Sequence, residues 1–226
     1  MKSAKRKASG QGSLFGNDEV ETEEIIVMIF CIGMGKTGTK TICSALMVLG
    51  YRTSHHSRKF GKLMINYLDS GVMKPFLAGI FKKKDVFADG PERYRFKELD
   101  EHFPEAKFIL TIRGIDTWLV SHANHSYVRH KRTHVDGDFW RQRLKTFREH
   151  HEAVRGYFRG REDFLEIDFC DKDDKWKPIC GFLNKEVPDC TFPRRGRTRK
   201  ISGKHFMHVE EVMEFFGLSK EDVWGK

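Results

Sequence analysis

An apolar run, a glycine-rich loop and a helix-forming segment follow one another between Ile25 and Gly50. The run "IIVMIFCIG" has the length and composition of a strand that is covered on both faces. The loop "IGMGKTGTKT" comes next, and "TICSALMVLG" then carries apolar residues at helical spacing up to a glycine, a common helix end. In this order, the loop's backbone N–H groups and the positive end of the helix converge on one point. The sequence therefore predicts an anion site, and a phosphate group suits it.

The rest of the chain continues the alternation of strands and helices. Strand-like runs are found at "YRTSHH", "DVFADGP", "AKFILTIR" and "DFLEIDF". Helical segments are expected at about 58–82, with a break near Gly71 and Pro75, and at 95–104, 116–125, 138–158, 175–184 and 208–217. Asp116 or Thr117 is the expected N-terminal cap of the segment 116–125. The pattern predicts an α/β fold: a single P-loop-containing domain with a doubly wound parallel sheet flanked by helices.

The first 24 residues differ in composition from the rest. They have a basic start, a Gly/Ser-rich middle and an acidic end, and we interpret residues 1–24 as a disordered tail. The folded domain would then be residues 25–226. No apolar run approaches the ~20 residues that cross a bilayer, and the amino terminus does not look like a secretory signal. We therefore expect a cytoplasmic protein without a membrane partner. The basic cluster Lys5–Lys7 resembles a nuclear import signal, so a nuclear location is the alternative.

The net charge indicates the class of partner, and the cysteines indicate the redox state and the absence of a metal-binding pattern. The formal net charge is +9 over 226 residues, which favours an anionic partner: a nucleic acid, an acidic surface or an acidic small molecule. The five cysteines are odd in number and show no metal-ligand spacing. Reduced thiols, with no metal site, are the expectation.

The loop departs from the nucleotide-triphosphatase pattern G-x-x-x-x-G-K-[ST]. Gly33 and Gly38 have the right separation, but Thr39 stands where that pattern needs lysine, and the lysines are instead Lys36 and Lys40. The strand "KFILTIR" also ends in an arginine where a magnesium ligand would be expected, and Asp168, which follows "FLEI", is only a partial substitute. These features favour a phosphate bound without a metal.

Several segments in the correct order resemble the sulfotransferase family. The loop order Lys-Thr-Gly-Thr is similar to that family's phosphosulfate-binding loop, and Arg113 and Ser121, eight residues apart, resemble its arginine–serine pair for a 3'-phosphate. Further similar segments are "ALMVLGY", "ADGP", "FPEAKFILTIRGIDTWLVS" and "FLEIDFCDKDDKWKPICGFLNKEVPDCTFP". The resemblance runs from about Ile29 to Pro193.

The resemblance implies an enzyme that transfers a sulfuryl group from 3'-phosphoadenosine 5'-phosphosulfate (PAPS) without a metal. Positioning and charge stabilisation would carry such a reaction. Lys36 would stabilise the bridging oxygen, and Arg113 with Ser121 would bind the 3'-phosphate. The loop would hold the donor through Gly35, Lys36, Thr37, Gly38, Thr39, Lys40 and Thr41. The late basic run "RRGRTRK", beginning with Arg194 and Arg195, is similar to a segment that closes over the nucleotide in cytosolic members, and a solvated loop is the alternative.

The acceptor hydroxyl or amine also needs a base in line with sulfur. In several branches of the family this residue follows the first helix, where the present chain has His55 and His56. Strand alternation would point only one of them inward. Asp89 in "ADGP" is another candidate. The sequence leaves the choice among these three open.

Three other interpretations remain at this stage. In a P-loop kinase or triphosphatase, Lys40 would be the phosphate-binding lysine of the same loop, and the protein would bind ATP with magnesium. A basic nucleic-acid-binding protein would suit the net charge, although the aromatic residues lie mainly within apolar runs and form no evident stacking surface. A family member that has lost activity is the third. The acceptor, a carbohydrate or small molecule, and the oligomeric state cannot be read from the sequence.

Overall fold

The structure, a computed structural model, describes residues 27–225 apart from 57, 130–134, 171–173 and 196–204. Within these ranges the strands are β1 Ile29–Cys31, β2 Thr53–His55, β3 Val86–Ala88, β4 Lys107–Ile112 and β5 Phe164–Asp168. All neighbouring strands pair in parallel, in the order β2-β3-β1-β4-β5. The predicted parallel, doubly wound α/β sheet is therefore confirmed. The predicted tail and residues 196–200 of the late basic run lie outside the described residues.

Helices flank this sheet, and they are α1 Thr39–Val48, α2 Arg58–Ser70, α3 Pro75–Lys83, α4 Phe96–His102, α5 Ile115–Ala123, α6 Gly137–Tyr157, α7 Trp176–Leu183, α8 Val209–Phe216 and α9 Lys220–Trp224. A 3₁₀ turn spans Pro91–Arg93, and a wider π-type turn, Asn124–Arg129, continues α5. None of the helices in the described ranges has the length and apolar character needed to cross a membrane.

Most helix ends agree with the sequence prediction, but the start of α5 differs and one helix, α9, was not predicted. Helix α5 begins at Ile115 with Gly114 as its cap, so the expected cap at Asp116 or Thr117 was wrong. The hydroxyl of Thr117 instead donates back to the carbonyl of Gly114 at 3.0 Å. Helix α9 was not predicted, although the reciprocal hydrogen bonds between Ser219 and Asp222 are a known helix-start signal.

The two faces of the sheet are buried by different side chains. Because alternate residues of a strand point to opposite faces, Phe30, Phe87 and Phe108 share one face. They pack with α2, α3, α4 and the end of α6 in an aromatic core. Ile29 and Ile109 face the other way and pack against α1 and α7. The sheet is thus covered on both sides, as its continuous apolar strands require.

Strand register brings the candidate residues to one edge of the sheet. Cys31 pairs with Ala88 of β3, and Ala88 pairs with His55 of β2. Strands β1, β2 and β3 therefore end at the same level, and the chain leaving each one enters the same region. In open parallel sheets, ligands bind in the crevice outside the carboxyl ends of the strands.

Candidate functional site

The loop between β1 and α1 crosses the end of β4 at very close range. A Cβ atom on Gly33 would lie 2.0 Å from the hydroxyl oxygen of Thr111 and 2.7 Å from its carbonyl oxygen. Thr111 also contacts Thr37, with 2.6 Å between the two hydroxyl oxygens. The hydroxyl of Thr37 gives its only hydrogen to the carbonyl of Met34 at 2.6 Å, so it accepts from Thr111. Residue 33 must be glycine for the loop to lie here.

Backbone conformations with positive φ are concentrated around the loop. Among the described residues other than glycine, four have positive φ: Lys36 (76°), His56 (53°), Asp89 (62°) and Asn184 (50°). Such conformations cost about 1–2 kcal/mol for most side chains, although Asp and Asn tolerate them better. Asn184 ends a helix, where the conformation is ordinary. The other three are candidate site residues, and strained backbone is often found at functional sites.

Arg113 lies against the loop. This residue directly follows β4, and its Nη1 donates to the carbonyl oxygen of Lys36 at 3.3 Å. Its Nε donates to the hydroxyl of Thr117 at 3.2 Å, which holds the side chain over the first turn of α5. The indole N–H of Trp118 donates to the carbonyl of Gly35 at 2.9 Å from the same turn. The end of β4 and the start of α5 therefore fix the geometry of the Gly35–Lys36 turn.

One large cavity joins the predicted phosphate-binding residues. It has a volume of about 1000 Å³. Seven of the predicted residues line it: Thr37, Gly38, Thr41, Arg113, Ser121, Arg194 and Arg195. The loop and the Arg113–Ser121 pair therefore border the same space, whereas the predicted residues Gly35, Lys36, Thr39 and Lys40 are not part of this lining.

The late basic segment reaches the loop through its backbone. The hydroxyl of Thr41 donates to the carbonyl of Arg195 at 3.2 Å and accepts from the N–H of the same residue at 3.2 Å. The segment that carries Arg194 and Arg195 is thus attached to the first turn of α1 and forms part of the cavity wall.

Aromatic side chains and a buried cation form another wall of the cavity. Phe169 and Phe192 stack with ring centroids 5.6 Å apart, and Trp176 meets Phe192 edge-on at 4.8 Å. Lys175 also lines the cavity although only 9% of it is exposed. Trp118 and Trp176 are both buried, and Trp118 also donates to the loop. The wall as a whole suits a flat, anionic ligand.

The three candidate bases form a cluster on the other side of the loop. Nε2 of His55 lies 3.1 Å from the hydroxyl oxygen of Thr39 and 3.9 Å from Oδ2 of Asp89. Nδ1 of His56 lies 3.4 Å from the same Oδ2. The His55 side chain is 18% exposed and that of His56 is 63% exposed. His55 is therefore the histidine that points inward at the loop.

Burial and nearby charges set the protonation of this cluster. Burial lowers the pKa of His55 below its usual 6.5, Asp89 opposes that change, and Lys40 adds to it. The imidazole is therefore neutral at pH 7. The buried carboxyl of Glu92, on the adjacent 3₁₀ turn, has its pKa raised by burial to about 7 and accepts from the N–H of Gly90 at 2.5 Å.

The sequence analysis did not identify two side chains near the loop, one arginine and one histidine. Arg93 donates through Nη2 to Oδ1 of Asp89 at 2.7 Å and through Nε to the carbonyl of Gly90 at 3.0 Å. His150, on α6, lies with Nε2 2.8 Å from the carbonyl oxygen of Ile32, where the loop begins. Neither belongs to a recognisable local motif. Arg93 follows Asp89 by four residues, a spacing that allows an ion pair. This spacing was the one feature of the sequence that could have indicated Arg93 as a site residue.

The loop hydroxyls have protein partners. Thr37 binds Met34, Thr39 contacts His55 and Thr41 binds Arg195. An anion in the loop would therefore be left mainly with the backbone N–H groups of Thr39 and Lys40 at the start of α1, because the N–H of Thr41 already donates to the carbonyl of Gly38 at 2.8 Å. Lys40 is exposed, and its charge acts on His55, on the candidate-base side of the loop.

Comparison with known proteins identifies the family. A sulfotransferase domain model matches residues 28–140 and 128–201, which together are more than half of the chain. The chain is 28% identical to Ava biosynthesis cluster protein M of Aspergillus versicolor, over 73% of this chain and 79% of that protein. It is 16% identical to a crystal structure of a sulfotransferase from Alicyclobacillus acidocaldarius, with a TM-score of 0.48, over 84% of this chain and 91% of that one. On the strength of the domain match, the chain belongs to the sulfotransferase domain family.

Proposed function

We propose that this protein is an active sulfotransferase that moves a sulfuryl group from PAPS to a hydroxyl or amine of a carbohydrate or small-molecule acceptor. The hydrogen bond from Arg113 to the carbonyl of Lys36 carries the proposal. It joins the two halves of the inferred donor site, the loop for the 5' end and the Arg113–Ser121 pair for the 3'-phosphate. An arginine on the opposite side of the sheet would have contradicted the assignment.

The chemistry of the cavity supports a doubly phosphorylated nucleotide as its ligand. A volume of about 1000 Å³ is at the upper end of the range for small-molecule sites. The lining contains arginine and lysine side chains and aromatic rings, together with the carboxylates of Asp116, Asp174 and Glu210. Nδ1 of His205, in the same wall, is buried and has no hydrogen-bond partner among the described residues. A ligand with several acceptor oxygens and a flat base fits such a lining.

Each end of the donor would meet a different set of groups. The N–H groups at the start of α1 would bind the 5'-phosphate, as helix starts bind anions in general. Lys36 would neutralise the oxygen that is left when the sulfuryl group departs. Arg113 and Ser121 would bind the 3'-phosphate, the group that separates this donor from ATP. Arg194 and Arg195 would add positive charge from the wall attached to Thr41.

His55 is the best candidate for the base. It is neutral at pH 7 because burial lowers its pKa, and its Nε2 faces the start of α1. Asp89 would stabilise the imidazolium that forms when His55 takes the acceptor's proton. Asp89 itself stays the alternative base. His56 is largely exposed, which makes it the weakest of the three.

Calorimetric titration with the product 3'-phosphoadenosine 5'-phosphate (PAP) tests the proposal without an acceptor. We expect tight binding in EDTA, weaker binding of ATP with or without magnesium, and a loss of affinity in Lys36→Ala. Lys145→Ala is the matched control, because Lys145 forms an exposed ion pair with Glu149 on α6, away from the loop. If the wild-type protein bound ATP only with magnesium and did not bind PAP, the kinase interpretation would replace this one.

The rival interpretations make distinct predictions. The kinase reading needs Lys40 rather than Lys36 at the phosphate, and neither lysine lines the described cavity, so the nucleotide titration decides between the two readings. RNA binding that survived both Lys36→Ala and Arg113→Ala would favour a nucleic-acid-binding protein. Metal independence and the cytoplasmic location stay predictions.

A further inference from the structure

Arg93 is held in a fixed orientation beside the candidate bases. Its guanidinium donates to Asp89 through Nη2 and to the carbonyl of Gly90 through Nε. Two hydrogen bonds to different groups fix the plane of an arginine side chain. The side chain is 15% exposed, so its charge is less screened by water than that of a surface arginine.

The remaining amino group of Arg93, Nη1, points at the loop between β1 and α1. Nη1 lies 3.6 Å from the position that a Cβ atom on Gly35 would occupy, and Oδ1 of Asp89 lies at the same distance. Within the part of the chain that the structure describes, no acceptor pairs with Nη1. The guanidinium therefore borders the gap between the Gly35–Lys36 turn and Asp89, and the N–H donors of Nη1 face that gap.

This gap is where a transferred group would travel. Gly35 borders it on the side of the loop, and Asp89, which lies 3.9 Å from Nε2 of His55, borders it on the side of the candidate bases. A sulfuryl group carries negative charge on three oxygens, and charge-assisted N–H donors fixed in advance stabilise such a group. Lys36 alone would offer one ammonium group for those three oxygens.

We propose that Arg93 is a catalytic residue whose Nη1 contacts the non-bridging oxygens of the sulfuryl group. This inference rests on the proposed function. In the transfer, the bond between sulfur and the bridging oxygen breaks, and its electron pair stays on the 5'-phosphate of PAP. A bond forms between sulfur and the acceptor oxygen or nitrogen, whose proton passes to the base. Arg93 keeps its own protons and contacts the sulfuryl oxygens in the bound donor and throughout the step.

The test compares two ligands that differ only in the sulfuryl group, PAPS and PAP, with no acceptor present. Binding of both is measured by calorimetry for the wild type and Arg93→Ala. We expect Arg93→Ala to weaken PAPS binding roughly 10- to 100-fold, the usual effect of one charged hydrogen bond, and to leave PAP binding within about twofold. Arg95→Ala is the matched control, because Arg95 pairs with Asp69 and Glu98 instead. An unchanged ratio of PAPS to PAP affinity in Arg93→Ala would overturn the inference.

A double-mutant cycle separates contact with the sulfuryl group from support of Asp89. Asn tolerates positive φ, so Asp89→Asn keeps the local backbone. If Arg93 contacts the sulfuryl group, Arg93→Ala lowers the PAPS to PAP affinity ratio equally in the Asp89→Asn background. If it only supports Asp89, the ratio in that background does not change, and the inference is wrong.

A variant at Gly35 serves if Arg93→Ala does not fold. Alanine fits at position 35, because its Cβ would meet Arg93 and Asp89 at 3.6 Å, an ordinary contact distance. The methyl group would occupy the proposed sulfuryl position, so Gly35→Ala should weaken the binding of PAPS at least tenfold more than the binding of PAP. Equal effects on both ligands would contradict the inference. A wild-type protein that does not bind PAP would instead refute the proposed function itself.

Discussion

The hydroxyl oxygen of Thr39 lies 3.1 Å from Nε2 of His55, so the first residue of α1 touches the last residue of β2. The contact follows from the sheet, because β1 and β2 end at the same edge and α1 starts directly after the loop that follows β1. It links the inferred 5'-phosphate site to the inferred base through one side-chain pair. The same imidazole is influenced by Asp89 and Lys40, whose charges act in opposite directions.

The titration of His55 is therefore our first prediction. Its pKa should lie below the usual 6.5, because burial disfavours the charged ring. Asp89→Asn removes a carboxylate that raises this pKa and should lower it further, whereas Lys40→Gln removes a cation and should raise it. Both shifts can be followed by NMR, from the imidazole C–H resonances as a function of pH.

The control for this titration is Lys145→Gln, which removes an equal charge from the exposed face of α6. It should leave the His55 resonances in place. A rise in the pKa of His55 on Asp89→Asn would show that the carboxylate does not face the ring as the structure has it.

Much of this site could be predicted from the sequence because it follows from strand order. A glycine-rich loop after a buried strand, and an arginine directly after another parallel strand, must meet at the carboxyl edge if the strands are neighbours. The contact between Arg113 and Lys36 is an example. The inward orientation of His55 could not be predicted, because alternation allows either of two successive histidines and only the register of β2 with β3 decides.

Other features of the site depend on contacts between distant segments. The hydroxyl of Thr41 binds the backbone of Arg195, 154 positions along the chain. The bond between His150 and the carbonyl of Ile32 likewise joins α6 to the loop. Neither partner carries a local signal, since isolated threonines and helix histidines are common. Arg93 was overlooked for a related reason: its role depends on the closeness of Gly35, which only the folded chain reveals.

Arg113 should discriminate between ligands with and without a 3'-phosphate. Arg113→Ala removes one charged donor to that group, so we expect PAP affinity to fall roughly 10- to 100-fold. Adenosine 5'-phosphate, which lacks the group, should bind the variant about as well as the wild type. Calorimetry with both ligands measures the difference.

Arg155→Ala is a suitable comparison for Arg113, because Arg155 forms a bidentate pair with Glu166 and does not line the cavity. It should leave both affinities unchanged. If Arg113→Ala weakened the two nucleotides equally, its effect would come from distortion of the Gly35–Lys36 turn, and the assignment to the 3'-phosphate would be wrong.

Lys36 should show a conflict between stability and function. Its φ of 76° is strained for a residue with a side chain and relaxed for glycine. We expect Lys36→Gly to keep or raise the free energy of unfolding, by up to about 1 kcal/mol, while Lys36→Ala lowers it slightly. Both variants should lose sulfuryl transfer, because both lack the ammonium group.

Urea unfolding of the two Lys36 variants provides the measurement. Gly50 is the reference position, since its φ is 89° and no side chain crowds it. Gly50→Ala should destabilise the protein through backbone strain alone and leave PAP binding intact. A Lys36→Gly variant that was clearly less stable than Lys36→Ala would show that the loop does not hold this conformation in solution.

His150 should make the stability of the fold sensitive to mild acid. Burial lowers its pKa from 6.5 to about 4, and the neutral ring binds the carbonyl of Ile32 through Nε2. The unfolded chain takes up a proton near pH 6.5 and the folded protein only near pH 4. The free energy of unfolding must therefore fall as the pH is lowered through this window, by up to about 3 kcal/mol from this residue. Above pH 6.5 it contributes no pH dependence.

The variant His150→Gln isolates this contribution, because an amide can still donate to Ile32 but does not titrate. Urea unfolding between pH 7 and pH 4 should show a weaker loss of stability in the variant than in the wild type. Some pH dependence will remain, since burial also lowers the pKa of His151. His208→Asn, at an exposed position, should follow the wild-type curve. Parallel curves for His150→Gln and the wild type would mean that His150 is not buried under the loop, and the loop would then lack the support from α6 that holds its first residue.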